Sequence, residues 1–194
     1  RIFAFTVLKD LSLRCLEAEE TQLRDMTLIK HMVLDRLCLS GTGISDISAL
    51  KDMPLKHLTL GDCMVKDFSV LAGMPLRHLD LRGTRLDTLD VLKDMKLEHL
   101  DISNTKVWDL SPIESLPLAH LDIRGTRVKD LKAIAKMPLM LLDIRGTLVS
   151  NFEPLRRMPI HHFLVDKPED PGIRSVLKSL PNLETVNWQR WEGF

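Results

Sequence analysis

The chain has no tyrosine, aromatic residues make up 5% of it, and cysteine occurs three times in 194 residues. So sparse an aromatic supply leaves the interior to Leu, Ile, Val and Met, which the apolar share of 44% can provide. Three cysteines, Cys15, Cys38 and Cys63, cannot build a disulfide framework. Net charge is also missing, 27 basic residues against 27 acidic ones, and no basic block stands out. Phosphate backbones are held by clustered positive charge, so nucleic acid is not the expected partner. No apolar run approaches the roughly 20 residues that span a bilayer, and no signal peptide or lipidation motif is visible. Membrane insertion is therefore not expected in this segment. Gly-rich phosphate loops, cysteine-pair zinc patterns, nucleophile elbows and kinase signatures do not occur.

What the chain has instead is one unit copied at a fixed period. LEHLDISNTKVWDLSPIESLP (97–117) lies between LRHLDLRGTRLDTLDVLKDMK (76–96) and LAHLDIRGTRVKDLKAIAKMP (118–138), each 21 residues long. Steps of 21 recover units starting at Leu13, Leu34, Leu55, Leu76, Leu97, Leu118, Leu139 and Ile160. No insertion or deletion interrupts them over 13–159. Within a unit, positions 1, 4 and 6 are apolar, as Leu97, Leu100 and Ile102 are, which predicts a short strand with those side chains inward. Position 9 is Thr in most units, and Gly or Asn often precedes it, fitting a bend that tolerates positive φ. Positions 11, 14, 17 and 20 turn apolar again, and Met fills position 20 six times. At regular spacing that methionine row reads as core filler. Ser or Asp at position 15 (Ser48, Ser69, Asp90, Ser111) is the expected N-cap of a one-turn helical piece.

A period of 20 to 29 residues carrying LxxLxL resembles the leucine-rich repeat, specifically the short, 21-residue internalin-like class of bacteria. The resemblance implies an α/β solenoid: a right-handed β/α horseshoe with a parallel concave sheet and short 3₁₀ or helical convex turns. It implies one such domain over 1–194: residues 1–12 as the second half of a truncated repeat, 13–159 as seven repeats, and 160–194 as a last strand and cap. Ile2, Phe5 and Leu8 then stack outside the first full unit, and Trp188, Trp191 and Phe194 cover the final coil. The chain so read is the C-terminal part of a longer protein. In this family Asn commonly bridges neighbouring coils, and the Thr hydroxyls (Thr84, Thr105, Thr126, Thr147) are expected to take over that task. On such a scaffold Cys15 and Cys38 sit roughly 8 Å apart between Cα atoms, beyond bridging. Free thiols lean toward a reducing, cytoplasmic setting, though the compartment stays open.

Positions 3, 5 and 7 point away from the core, onto the open face of the sheet. They read as parallel ladders: His57, His78, His99 and His120; Asp80, Asp101, Asp122 and Asp143; Arg82, Arg124 and Arg145. Three uses compete. A metal array needs ligands converging on a point, which a ladder does not supply, so no metal or cofactor is expected. Catalysis by His–Asp pairs lacks a Ser, a Cys or a second acid to complete a site, so no enzyme is expected. A surface for a protein partner remains, because concave solenoid faces commonly bind partners. Trp108, at position 12, is a candidate contact anchor or a ring covered by the Lys129 stem. Near pH 5.5 the histidines should begin to charge, from the ordinary value of about 6.5, and turn the face positive. The function expected is a non-catalytic interaction module; the alternative is a regulatory or sensor segment of a larger bacterial enzyme such as a serine/threonine kinase.

Overall fold

Strand residues in the computed structural model, which describes residues 13–192, pair with partners 21 positions away. Positions 3 to 5 of successive units form β1 (Cys15–Glu17), β2 (Arg36–Cys38), β3 (His57–Thr59), β4 (His78–Asp80), β5 (His99–Asp101), β6 (His120–Asp122), β7 (Leu141–Asp143) and β8 (His162–Leu164). All are parallel and lie in chain order, with His78 opposite His99 and Asp80 opposite Asp101. Such a sheet follows from the repeat, because an equal loop length returns each strand beside the last in the same register. The expected turns are 3₁₀ helices, running from Thr27–Ile29 through Ser111–Ile113 to Glu153–Leu155 on the far side of the core.

Between the two layers lies a continuous apolar stack. Leucines at position 1 (Leu34, Leu55, Leu76, Leu97, Leu118 and Leu139) are all fully buried. Each removes its side chain from water for about 2 kcal/mol. Met53, Met74, Met95, Met137 and Met158 are buried in the same stack, in the filler role their spacing suggests. Cys63, standing where other units have Thr, is buried and donates its thiol to Leu39 O at 3.2 Å.

Two local expectations are corrected. No side chain at position 15 caps a 3₁₀ turn; Asp46, Asp67, Asp109 and Asp130, two residues earlier, accept the N–H of Ser48, Ser69, Ser111 and Lys132 at 2.8–2.9 Å. A carboxylate two residues before a backbone N–H closes an Asx turn, and the 3₁₀ turn starts from it. The threonine hydroxyls, in turn, do not bridge coils. Thr84, Thr105 and Thr126 are buried, and with Thr147 they donate to the carbonyl three residues back (Leu81, Ile102, Ile123 and Ile144) at 2.6–2.7 Å. They brace the bend of their own coil. Just before them, Asp62, Gly83, Asn104, Gly125 and Gly146 have φ between +57° and +67°. At Gly125 a Cβ would also come within 2.5 Å of Asn104 Oδ1 on the preceding coil.

At the C-terminal side, α1 (Pro171–Leu177) is capped by Asp170 and buries Ile173, Val176 and Leu177 over the last coil. β9 (Thr185–Val186) continues the parallel order, and β10 (Gln189–Arg190) turns back antiparallel. Trp191 packs against the core, but Trp188 is 61% exposed and covers little of it. The expectations for Ile2, Phe5, Leu8 and Phe194 fall outside the described residues.

Candidate functional site

The open face carries the expected ladders, and their geometry is specific. At position 3 the imidazoles of His57 and His78 stack with centroids 4.1 Å apart and planes 16° from parallel. His78 and His99 stack at 4.8 Å and 21°, while His120 meets His99 edge-on at 4.1 Å. Rungs one strand apart hold the rings at van der Waals distance, so the side chains cover one another and are half-buried. Ring nitrogens carry their lone pairs in the ring plane, so stacked imidazoles aim them side by side rather than at a common ion. Among the described residues no group of three or more His, Cys, Asp or Glu is placed to hold a metal.

Stacking also sets the charge, against the expectation of protonation near pH 5.5. Burial pushes His78 down to about 4, aided by the neighbouring His57 and His99. His57 and His120 are lowered as well, again by burial first and then by neighbouring positive charge, Arg36 and His99 respectively. An imidazolium here would lose water and face its own kind, so this part of the column stays neutral through mildly acidic pH.

The position-5 column lies deeper than alternation alone suggests. Asp80 and Asp143 are buried, Asp101 and Asp122 half-buried, and the column continues as buried Cys38 and Thr59 toward β2. In each of the four acidic rungs the carboxylate accepts the N–H two residues on: Arg82, Ser103, Arg124 and Arg145, at 2.8–3.0 Å. Three rungs add an ion pair to that same downstream residue, Asp80–Arg82 at 3.1 Å, Asp122–Arg124 at 3.7 Å and Asp143–Arg145 at 2.6 Å. Burial nonetheless dominates: Asp122 is pushed up to about 6, opposed by the Arg124 N–H and reinforced by Asp101 and Asp143. Asp80 is raised by burial too, with Asp101 adding to it and the Arg82 N–H and guanidinium opposing. Arg82 folds back over the preceding coil, where Gly61 leaves room: a Cβ there would meet Arg82 Cγ at 2.8 Å.

Trp108 is not part of this face. It lines, with Leu148, Lys129, Lys132 and Ala133, a groove of about 760 Å³ beside the 3₁₀ turns. The ring is 66% exposed, so the Lys129 stem does not cover it. The residue that sequence reasoning undervalued is Trp188. Its ring lies 5.8 Å from His162, where the position-3 column ends, and its backbone has φ +65°. The signal was available, since His162 falls in the same column once the 21-residue step is carried past the last regular unit.

Comparison with solved structures places this architecture. An internalin, InlF, from Listeria monocytogenes superposes with a TM-score of 0.75 at 24% identity, over 86% of this chain and 51% of its own. The fold is that of the internalin leucine-rich repeats. Internalin C2 of the same organism matches with a TM-score of 0.63 at 22% identity, covering 79% of this chain and 80% of its own. The functional domain of InlJ, also from Listeria monocytogenes and described as including a cysteine ladder, matches at 0.54 and 17% identity, over 90% and 48%. This chain spans about half the length of the InlF chain that it matches. No protein-family model matches it, and no curated protein does. In this internalin-like chain the ladders are of His, Asp and Arg. No helix among the described residues is long and apolar enough to cross a membrane.

Proposed function

We propose that the chain is a non-catalytic protein-interaction module that receives its partner on the open face of the sheet. The observation that carries this reading is the unbroken stack His57–His78–His99–His120, flanked by sunken carboxylates and their arginines. Neutral stacked rings give a partner flat, weakly hydrated area, and the adjoining charges give it direction. The backbone beneath is a continuous hydrogen-bonded ladder, so the groups are held ready and little ordering is lost on binding. The likeness to internalins supports the scaffold. The surface residues proposed are His57, His78, His99, His120, Asp80, Asp101, Asp122, Asp143, Arg82, Arg124 and Arg145. Trp108, on the other side of the core, is left out of it.

The test begins with a partner captured by the immobilised chain and then purified. Its affinity is measured for the natural chain, for the triple variant His78→Gln, His99→Gln, His120→Gln, and for Trp108→Ala. Loss of about tenfold or more in the triple variant, with circular dichroism unchanged and Trp108→Ala near the natural value, is the expected result. A folded triple variant that binds at full strength, at both pH 7.5 and pH 5.5, would remove the sheet face from consideration.

A further inference from the structure

One rung breaks the pattern at the middle of the ladders. Arg82, Arg124 and Arg145 each return a guanidinium to the aspartate two residues before them, but the same position after Asp101 is Ser103. Asp101 therefore accepts the Ser103 N–H at 2.8 Å and forms no ion pair among the described residues. Ser103 is fully buried, and its Oγ has no hydrogen-bond partner. A half-buried carboxylate without a counter-charge and a buried hydroxyl without a partner each cost free energy. Both occur within three residues on one rung. The neighbouring carboxylates register the deficit: after burial, Asp101 is among the causes that push Asp80 and Asp122 up.

We propose that the Asp101–Ser103 rung is a slot for one arginine side chain of the partner. The inference rests on reading the open face as the binding surface and names the chemistry at its centre. The occupant is argued from the protein's own solution to the same problem. On three other rungs the equivalent place, beside a position-5 aspartate, is filled from within the chain, and each time by a guanidinium. The planar fork fits a carboxylate with two parallel N–H groups, and Asp101 keeps one oxygen free of the backbone bond. A small rotation of Ser103 offers its hydroxyl oxygen to a third N–H. His99 and His120, on the adjoining column, flank the slot, and Asp80 and Asp122 lie one rung to either side. Arg82 and Arg124 belong to those neighbouring rungs and are engaged with their own aspartates. Calcium fits poorly, because it takes six to eight oxygens and this rung offers two or three.

The experiment needs no identified partner. Carboxyl ¹³C resonances of Asp80, Asp101 and Asp122 are followed while acetyl-Gly-Arg-Gly-amide is added, up to about 100 mM because a single ion pair binds weakly. Acetyl-Gly-Lys-Gly-amide and calcium chloride are added in separate arms. A saturable shift centred on Asp101 is expected, strongest with the arginine peptide, and a fall of the Asp122 pKa from its value of about 6. In Asp101→Asn, which still accepts the Ser103 N–H, the shift should weaken about tenfold. Ser103→Arg should fill the slot from within, lower the Asp122 pKa without any peptide, and abolish the response. No saturable shift at Asp101, an equal shift in Asp101→Asn, or tighter binding of calcium than of arginine overturns the proposal. If the peptide fails while the histidine variants still lose the captured partner, the slot is wrong and the binding face stands.

Discussion

At the scale of single residues, the open face stores opposed proton linkages. Folded His78 has its pKa near 4, below the ordinary 6.5, so between those values the native state binds fewer protons than the unfolded chain. Its contribution to stability therefore falls as pH drops through that window. Asp122 runs the other way. Its folded value of about 6 lies above the ordinary 3.8, so the native state binds more protons there, and stability falls as pH rises from about 4 to 6. Two variants separate them. His78→Gln should lose fewer degrees of melting temperature than the natural chain on going from pH 7.5 to pH 5. Asp122→Asn should compare better with the natural chain at pH 7.5 than at pH 5, each by a few degrees. Thermal melts at both pH values check the pair. Thr105→Val keeps the shape at position 9 but leaves the Ile102 carbonyl unpaired, and should cost about 1–3 kcal/mol by urea denaturation. The in-or-out sense of these side chains was legible from period-two alternation. Their depth was not, because alternation ignores how closely neighbouring rungs cover one another; Asp143 points to the open face and is still buried.

At the scale of elements, each 3₁₀ turn begins from a side chain before it, which the sequence offered in a misleading form. Ser at position 15 is a good capping residue by composition, yet it supplies the N–H and the Asp at position 13 supplies the oxygen. A turn of three residues is too short to place a cap immediately before its first N–H, and an Asx turn reaches the same group from farther back. Asp109 shows this most fully, accepting both the Ser111 N–H at 2.9 Å and the Ser111 hydroxyl at 2.7 Å. Those bonds hold its carboxyl below the ordinary value. Its contribution is therefore present above about pH 4 and fades as pH falls through the lowered folded value. Asp109→Ala should lower the melting temperature at pH 7 and lose that deficit toward pH 3; an equal deficit at both would assign the effect to packing. The strands were easier to read, since LxxLxL recurs without a slip and fixes both boundaries and register.

For the whole molecule, register is the quantity that matters. Removing residues 97–117 joins Lys96 to Leu118 and takes out one complete coil, so the ladders should close up one rung shorter around an intact core. Removing 97–116 instead shifts everything downstream by one residue and turns inward side chains outward. The first deletion should keep a cooperative melt and the second should abolish it, as circular dichroism will report. The solenoid could be foreseen in this way because one period governs all its layers. The vacancy at Asp101–Ser103 could not be weighed from sequence, since a missing arginine has meaning only beside three that pair.

The columns also act as a vernier scale. Their marks stand about 4.8 Å apart, the spacing of neighbouring strands, whereas a helix laid along them advances about 5.4 Å per turn. Helix and columns drift by about 0.6 Å per mark and fall half a mark out of phase after about four. An extended strand presents same-side residues about every 6.7 Å, so two of its steps nearly equal three marks. A helical partner would then grip a few consecutive rungs tightly and lose the next. An extended one would touch every third rung, and anchored at Asp101 its next contacts would fall beyond the stacked histidines, level with β2 and β8.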